Sequence, residues 1–298
     1  MKRKIAFIIN PISGTSQKKQ IIEYLHFVFD NDDNYEVKYY MTKCVGDPHV
    51  AAKRFKEENY DTVVAVGGDG TVNQVAEALV GGNTSMGIIP VGSGNGLARH
   101  MKIPLNYKNA IEVIRANNVQ NIDAGKINEQ YFFCTAGLGF EAVIGERFNS
   151  ANKRGLVTYV EICTKVYMNY RRENYVITLD GKKISTKAFL ITFANCSQWG
   201  NNVYIAPNAS ANDGMLDVVV WKRAPLIFMP ILSARLLFKT IQFSKYIDTY
   251  RCSTITIERE KEGLIQFDGE SGSAGKTITA MEQHNALKII LPQISINE

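Results

Sequence analysis

The stretch DTVVAVGGDGTVNQVAEALV, residues 61–80, decides the fold of this chain. A short apolar run ends at two glycines, and apolar residues then recur at helical spacing, which predicts a buried strand, a tight turn and a helix. Glycines at such a turn let the backbone approach a ligand, and the first N–H groups of the helix point to the same place. The stretch therefore predicts a phosphate-binding turn.

The same pattern recurs on both sides of this stretch. The apolar run KIAFII, residues 4–9, is followed by NPISG, and MGIIPV, residues 86–91, leads into GSGN. Short apolar strands that alternate with helices predict a parallel sheet covered on both faces. Such sheets bind ligands at the carboxyl ends of their strands, where each of these loops falls. Three glycine-rich loops at neighbouring strand ends indicate a nucleotide site.

Strand-like runs dominate after about residue 123, and Asp180-Gly181 between two of them predicts a hairpin. The runs cover residues 131–136, 175–179, 188–194, 216–221, 254–258, 264–267 and 287–291. We therefore predict the α/β class with two domains, a parallel-sheet domain over residues 1–125 and a mainly antiparallel, β-rich domain over 126–298. Whether the C-terminal tail returns to the first domain is left open.

Composition excludes several classes of protein. With 45% hydrophobic and 21% charged residues, the chain of 298 residues is not disordered, collagenous or a coiled coil. The 34 basic and 29 acidic residues give a net charge of +5. This excess is too small to predict nucleic acid as a partner, but it suits anionic small molecules or an anionic membrane face. Nothing in the sequence indicates the oligomeric state.

The cysteines and histidines give no metal-binding pattern. The five cysteines are scattered without C-x-x-C spacing, which favours a reducing compartment and no zinc site. The four histidines lie far apart, so surface or capping roles are favoured for each. The longest apolar stretch, residues 224–234, is far below the roughly 20 residues of a membrane span. We therefore predict a cytoplasmic protein that at most contacts the inner membrane face.

Asp69 is an unusual residue for a phosphate-binding turn. A carboxylate repels phosphates unless a cation lies between them, so Asp69 predicts bound Mg²⁺, directly or through water. The alternative is an ordinary strand-to-helix turn in which Asp69 and Thr71 cap the helix. The recurrence of glycine-rich loops favours the nucleotide site.

Taken together, the motifs NPISG, GGDGTVN and PVGSGN, in that order, resemble the diacylglycerol kinase catalytic family, which includes sphingosine, ceramide and bacterial lipid kinases. The resemblance continues through DAG at 123–125, AGLGF at 136–140, DGMLD at 213–217 and DGE at 268–270. It implies an α/β nucleotide domain similar to NAD kinase, a β-rich second domain and an active site between them. The implied reaction is transfer of the ATP γ-phosphate to a lipid hydroxyl.

The resemblance also implies roles for individual residues. ATP phosphates and their Mg²⁺ are expected at Gly67, Gly68, Asp69, Gly70, Thr71, Val72 and Asn73, with Asn10, Thr42 and Ser93 lining the nucleotide. Asp69 is expected to be catalytic, and Glu270 is expected to be the base that accepts the proton of the lipid hydroxyl. The alternative for Glu270 is a solvated hairpin residue, because Asp-Gly is a turn dipeptide.

A second Mg²⁺ is implied at Asp213, held by its carboxylate and by the backbone carbonyls of Ser210 and Met215. The alternative here is a plain turn before a strand. Gln74, Gly96 and Glu141 depart from the pattern of bacterial diacylglycerol kinases, and Gly96 is more similar to the sphingosine kinase branch. The acceptor therefore remains open between diacylglycerol and a related lipid such as a sphingoid base.

Two other functions compete with a lipid kinase. An NAD kinase shares the GGDG element, and a non-catalytic lipid-binding protein could share the whole fold. The segment 222–239 also has two interpretations, because basic residues flank an apolar run. It is either a lipid or membrane contact or a helix packed in the core, and the pattern favours the core helix.

Overall fold

The computed structural model describes residues 2–11, 18–150 and 156–293, without the side chains of 149 and 156–159. The chain forms two compact units, Met1–Ile122 together with Asn285–Glu298, and Asp123–His284. Ser13 and Gly14 of the first predicted loop lie outside the described residues. The functional division into a nucleotide domain and a lipid domain stays a prediction.

The first unit is built on a parallel sheet. Its strands are β1 (Arg3–Ile9), β2 (Tyr35–Met41), β3 (Thr62–Gly67) and β4 (Ser85–Pro90), in the spatial order β2-β1-β3-β4. Its helices are α1 (Lys18–Phe29), α2 (Asp47–Glu57), α3 (Asp69–Leu79), α4 (Gly96–His100) and α5 (Tyr107–Ala116). The predicted alternation of strand and helix is confirmed.

Burial explains why these segments read as continuous apolar runs. Every residue of β3 and β4 is buried, as expected for central strands of a parallel sheet. Helix α3 buries Val72, Val75 and Leu79, whose spacing of three and four residues places them on one face. The stretch that predicts the fold therefore forms the centre of the first unit.

The second unit is dominated by strands. They are β5 (Val119–Ile127), which begins in the first unit, and β6 (Gln130–Phe132), β7 (Thr135–Gly139), β8 (Glu173–Leu179), β9 (Lys182–Ala188), β10 (Leu190–Ala194), β11 (Leu216–Trp221), β12 (Ile247–Cys252), β13 (Thr254–Arg259), β14 (Gly263–Phe267), β15 (Glu270–Ala274) and β16 (Thr277–Ile290). The helices are α6 (Phe140–Asn149), α7 (Leu156–Asn169) and α8 (Met229–Leu237), with 3₁₀ turns at Leu226–Phe228 and Ile241–Phe243. None of the helices in the described ranges is long and apolar enough to cross a membrane.

Two antiparallel sheets share one hydrophobic core in this unit. One sheet has the order β12-β11-β10-β7-β14-β15, and the other contains β16-β13-β8-β9. Phe193 and Val218 of the first sheet and Ile177 and Ile255 of the second belong to the same buried cluster. The predicted mainly antiparallel second domain is confirmed.

Two Asp-Gly turns fix hairpins in the second unit. Asp180 and Gly181 have φ angles of 43° and 85°, and Asp268 and Gly269 have φ angles of 48° and 84°. Two consecutive positive φ angles define the type I′ turn that suits a two-residue hairpin. The first turn joins β8 to β9, as predicted, and the second joins β14 to β15.

The C-terminal end of the chain contributes to the first unit. Strand β16 ends there with Ile289 paired in parallel with Met86 of β4, and Leu291 N donates to Asn118 O at 2.9 Å. After β13 the chain therefore first completes the second unit with β14 and β15, and the end of β16 then joins the first unit.

Candidate active site

The two glycine-rich loops that follow β3 and β4 touch each other through their backbones. A Cβ atom on Gly92 would lie 2.6 Å from Gly68 Cα, and one on Gly68 would lie 3.3 Å from Gly92 Cα. A Cβ atom on Gly67 would lie 2.5 Å from Thr71 Cβ. The absence of side chains is therefore what lets the loops meet at the start of α3.

The Asp69 carboxylate links these two loops by hydrogen bonds. Its Oδ2 accepts a hydrogen bond from Asn95 N at 2.9 Å, and its Oδ1 accepts one from Gly96 N at 2.7 Å. A Cβ atom on Gly94 would lie 2.7 Å from Asp69 Oδ2. The sequence suggested a metal ligand or a helix cap for Asp69, and this link between the loops was missed.

Asn95 completes the second loop. It is buried with a φ angle of 50°, its Oδ1 accepts from Gly92 N at 3.0 Å and its Nδ2 donates to Gly92 O at 2.7 Å. Arg99 Nε donates to Gly94 O at 2.9 Å. The loop is thus held from within, and Ser93 at its tip is exposed.

The remaining predicted nucleotide residues lie at the carboxyl ends of neighbouring strands. Asn10 follows β1, and its Nδ2 donates to Thr71 Oγ1 at 3.0 Å. Thr42 follows β2, is buried, and donates its N–H to Ile9 O at 2.9 Å. The structure brings Asn10, Thr71, Asp69 and the glycine loops together at one edge of the sheet.

Electrostatics and shape fit a phosphate group with a divalent cation at this edge. The first turn of α3 presents N–H groups without partners inside the helix, and the helix dipole is positive there. Asp69 is partly exposed, and a carboxylate has about four lone-pair positions, of which the two amides use two. Val72 packs inward, so only its backbone can face a ligand.

In the second unit, the Asp268 carboxylate binds a row of backbone amides. Phe133 N donates to Oδ2 at 2.6 Å, and Cys134 N and Thr135 N donate to Oδ1 at 2.8 and 2.9 Å. Burial raises the pKa of Asp268 to about 7, while the three amide donors act in the opposite direction. This side chain ties the turn after β14 to the start of β7. In the sequence, the only signal for this role of Asp268 is its place in the Asp-Gly-Glu triplet.

Glu270 is the first residue of β15 and pairs with Phe267 across the turn. Its side chain is exposed. Glu270 therefore lies in the hairpin, two positions after the anchored Asp268, and its role as the base stays a prediction. A proton acceptor can occupy such a place, because it is accessible on a fixed backbone.

The Asp213 carboxylate, the predicted Mg²⁺ ligand, has two partners within the protein. The guanidinium of Arg251 forms an ion pair with Asp213 Oδ2, and Met215 N donates to Oδ1 at 3.2 Å. Ser210 Oγ donates to Asn212 Oδ1 at 2.7 Å. A cation would have to displace Arg251, so the Mg²⁺ site at Ser210, Asp213 and Met215 stays a prediction.

Glu141 lies within the second unit. Thr192 Oγ1 donates to its Oε1 at 2.9 Å, and burial raises the pKa of Glu141 well above its usual value. A Cβ atom on Gly137 would lie 1.6 Å from Oε1, so the carboxyl group rests directly on the β7 backbone. Glu141 therefore packs against the sheet of the second unit.

A parallel-sheet unit with glycine loops at its strand ends, joined to an antiparallel sandwich, defines an NAD kinase-like fold. Residues 4–127 match the diacylglycerol kinase catalytic domain, and residues 134–291 match the YegS C-terminal NAD kinase beta sandwich-like domain. The chain belongs to the diacylglycerol kinase catalytic family.

Relatives of known name cover nearly the whole chain. It is 28% identical over 276 residues to a diacylglycerol kinase of Bacillus subtilis (strain 168), covering 91% of this chain and 90% of the relative. It is 25% identical over 304 residues to a diacylglycerol kinase of Staphylococcus epidermidis (strain ATCC 12228 / FDA PCI 1200), covering 100% of this chain and 95% of the relative. A crystal structure of a diacylglycerol kinase from Bacillus anthracis str. Sterne has a TM-score of 0.77 at 22% identity, covering 97% of both chains, which shows the fold.

The contact between the loops makes a specific prediction for Gly92→Ala. The new Cβ forces the loops apart, at a cost of about 1–3 kcal/mol, and we expect ATP to bind about tenfold or more weakly. Isothermal titration calorimetry with a non-hydrolysable ATP analogue measures this. Gly275→Ala is the matched control, because its Cβ meets nothing within 4 Å. Parent-like affinity of Gly92→Ala would contradict the role of the contact.

Proposed function

We propose that this protein is an ATP-dependent lipid kinase that transfers the γ-phosphoryl group of Mg²⁺-bound ATP to a hydroxyl of diacylglycerol or a related lipid such as a sphingoid base. The observation that carries the proposal is the joined pair of glycine loops, with Asp69 between them, at the start of α3. Membership of the diacylglycerol kinase catalytic family supports the choice of substrate class.

In this proposal the first unit binds the nucleotide. The N–H groups of the loop and the first turn of α3, residues Gly67 to Asn73, hold the phosphates. Asp69 faces the Mg²⁺ that accompanies ATP, and the two loop amides keep its carboxylate in place. Asn10, Thr42 and Ser93 line the nucleotide.

The second unit supplies the base. Glu270 accepts the proton of the lipid hydroxyl while the hydroxyl oxygen bonds to the γ-phosphorus and the bond from that phosphorus to the bridging oxygen breaks, leaving ADP. Phosphoryl transfer is mainly positioning and neutralisation of charge, so one exposed carboxylate is enough for the single proton. Asp268 acts as a positioning residue through the hairpin.

Glu270→Gln tests the role of the base. The amide keeps the shape of the side chain but accepts no proton, so we expect kcat to fall about 10²–10⁴-fold with ATP affinity unchanged. The measurement is a single-turnover assay with radiolabelled ATP and a calorimetric Kd for the analogue. Glu262→Gln, which changes an exposed glutamate of the same unit, should retain parent activity. Transfer at the parent rate by Glu270→Gln would exclude it as the base.

The acceptor is tested with radiolabelled γ-phosphate and a panel of lipids. Incubation with diacylglycerol, a sphingoid base and NAD, followed by chromatography, separates the two lipid acceptors from NAD kinase activity. Labelled NADP in place of a labelled lipid would support the NAD kinase alternative. Lipid binding without ATP consumption would support a non-catalytic protein.

A membrane contact is part of this proposal, because a diacylglycerol kinase must reach a lipid. Within 222–239 and the turn that follows, Ala224, Leu232 and Ile241 are buried in one core cluster, and Met229 and Leu236 pack against it. The core interpretation therefore holds for one part of the segment. Seven large apolar residues around them are exposed, and we call them the apolar patch: Leu226, Ile227, Phe228, Ile231, Leu237, Phe238 and Phe243. They make up almost half of the 16 exposed large hydrophobic residues in the described chain. Such a concentration marks an interaction surface.

The charges around the apolar patch favour an anionic lipid surface. Residues 222–247 include five basic residues and no acidic residue. Lys222 pairs with Asp248 at 2.6 Å, and Arg223 donates to backbone carbonyls. Lys239 and Lys245 are exposed beside the patch. Apolar side chains with neighbouring lysines suit peripheral binding to anionic headgroups.

We expect the double variant Phe238→Ser/Phe243→Ser to bind vesicles of phosphatidylglycerol about tenfold or more weakly. The reason is that the variant lacks two aromatic side chains that would be buried in the lipid on binding. Co-sedimentation measures the binding. Phe27→Ser is the matched control, since Phe27 is 73% exposed, as is Phe243. Two results would contradict the proposed membrane contact. One is that the parent binds neutral phosphatidylcholine as tightly as phosphatidylglycerol, and the other is that the double variant binds phosphatidylglycerol as tightly as the parent does.

A further inference from the structure

Three potential metal ligands converge in the second unit. Asp123 lies on β5, and Glu282 and His284 lie on β16. His284 Nδ1 is 2.8 Å from Asp123 Oδ1 and 3.8 Å from Glu282 Oε1. One ligand atom of each residue lies within 4.8 Å of the others. We call this group the β5–β16 cluster.

The strands explain why these side chains meet. Residues 282 and 284 are two positions apart, so they share one face of β16. Strand β5 pairs with β16, which places Asp123 beside them. Neighbouring positions on paired strands are a stable platform for ligands, because the backbone ladder fixes the spacing.

Glu282 supplies the observation that points to a ligand. Only 8% of its side chain is exposed, and its Oε1 is buried without a hydrogen-bond partner among the described residues. A buried carboxylate oxygen without a donor is unfavourable unless a cation lies against it.

Asp123 is positioned to share such a cation. Its side chain is fully buried, its Oδ2 accepts a hydrogen bond from Gly214 N at 2.8 Å, and its Oδ1 lies 2.8 Å from His284 Nδ1. His284 is 56% exposed, so water and ions can reach the cluster from its side. The arrangement combines two buried acceptors with one accessible imidazole.

We propose that Asp123 Oδ1, Glu282 Oε1 and His284 Nδ1 bind a divalent first-row transition-metal ion such as Zn²⁺. An imidazole nitrogen with two carboxylate oxygens suits Zn²⁺ at about 2.0–2.2 Å, whereas Mg²⁺ prefers oxygen ligands alone. The site differs in ligands and in metal class from the Mg²⁺ predicted at Asp213, whose carboxylate pairs with Arg251. The bound ion links β5 to β16 and stabilises the second unit.

The test uses the full chain, stripped with EDTA and carrying Cys44→Ser, because Cys44 is an exposed thiol that could bind Zn²⁺ by itself. Calorimetric titration with Zn²⁺ should show one ion per chain, and Zn²⁺ should raise the melting temperature through linkage. Mg²⁺ at the same concentration should not. Co²⁺ bound at the site should give visible absorption without a thiolate charge-transfer band.

Glu282→Gln and His284→Gln should each weaken Zn²⁺ binding by about tenfold or more. The matched control is His26→Gln. His26 Nδ1 lies 2.6 Å from Asp30 Oδ2 and its side chain is 47% exposed, so it forms a comparable pair with a single carboxylate. This variant should bind Zn²⁺ as the parent does.

Two outcomes overturn the proposal. If Zn²⁺ leaves the melting temperature of the stripped parent unchanged, the β5–β16 cluster is a metal-free ion pair. If Glu282→Gln and His284→Gln bind Zn²⁺ like the parent, the ion is held elsewhere. Whether the cluster binds Zn²⁺ at all is decided by the measurements on the parent, which do not depend on the folding of any variant.

Discussion

The carboxylate of Asp69 is the constraint on which the candidate nucleotide site depends. Glycine-rich loops lose much conformational entropy when they are ordered, so they need a strong anchor. Asp69 provides it through hydrogen bonds to two amides of the neighbouring loop, and charge-assisted bonds of this kind are stronger than neutral ones. In the proposed function, the carboxylate that repels phosphate also holds together the loops where phosphate would bind, and a Mg²⁺ ion would lie between the two charges.

The second unit uses the same device at Asp268. There a buried carboxylate binds three consecutive amides, and the hairpin that carries Glu270 is fixed to β7. In both units an acidic side chain next to a glycine holds the backbone through hydrogen bonds from amides. At Asp268-Gly269 both residues also have positive φ angles, whereas Gly68, which precedes Asp69, has a φ angle of −88°. An Asp next to a Gly therefore anchors a loop with or without a left-handed turn.

The sequence predicts those features that depend on local spacing. Strand β3 and helix α3, and the Asp180-Gly181 hairpin, follow from periodicity and turn chemistry alone. The link from Asp69 to Asn95 crosses 26 residues, and no local pattern reveals such a contact. The same limit applies to His284, which seemed by spacing a surface residue and meets Asp123 only because β5 and β16 pair. Strand β12 was missed for a different reason, because its alternating half-buried residues carry a weak apolar signal.

Charge distribution supports the proposal that this protein works at a lipid surface. The chain has 34 basic and 29 acidic residues, and the five basic residues of 222–247 account for the whole difference. The rest of the chain is formally balanced, but Lys222 pairs with Asp248 immediately after this segment, so the exposed charge beside the apolar patch comes mainly from Lys239 and Lys245. A local charge acts within about a Debye length, roughly 8 Å at physiological salt. In the proposed membrane contact it would orient the protein at an anionic surface and add little attraction at a distance. The exposed apolar side chains would then supply the binding energy, and a substrate held in that surface would need no transfer through water.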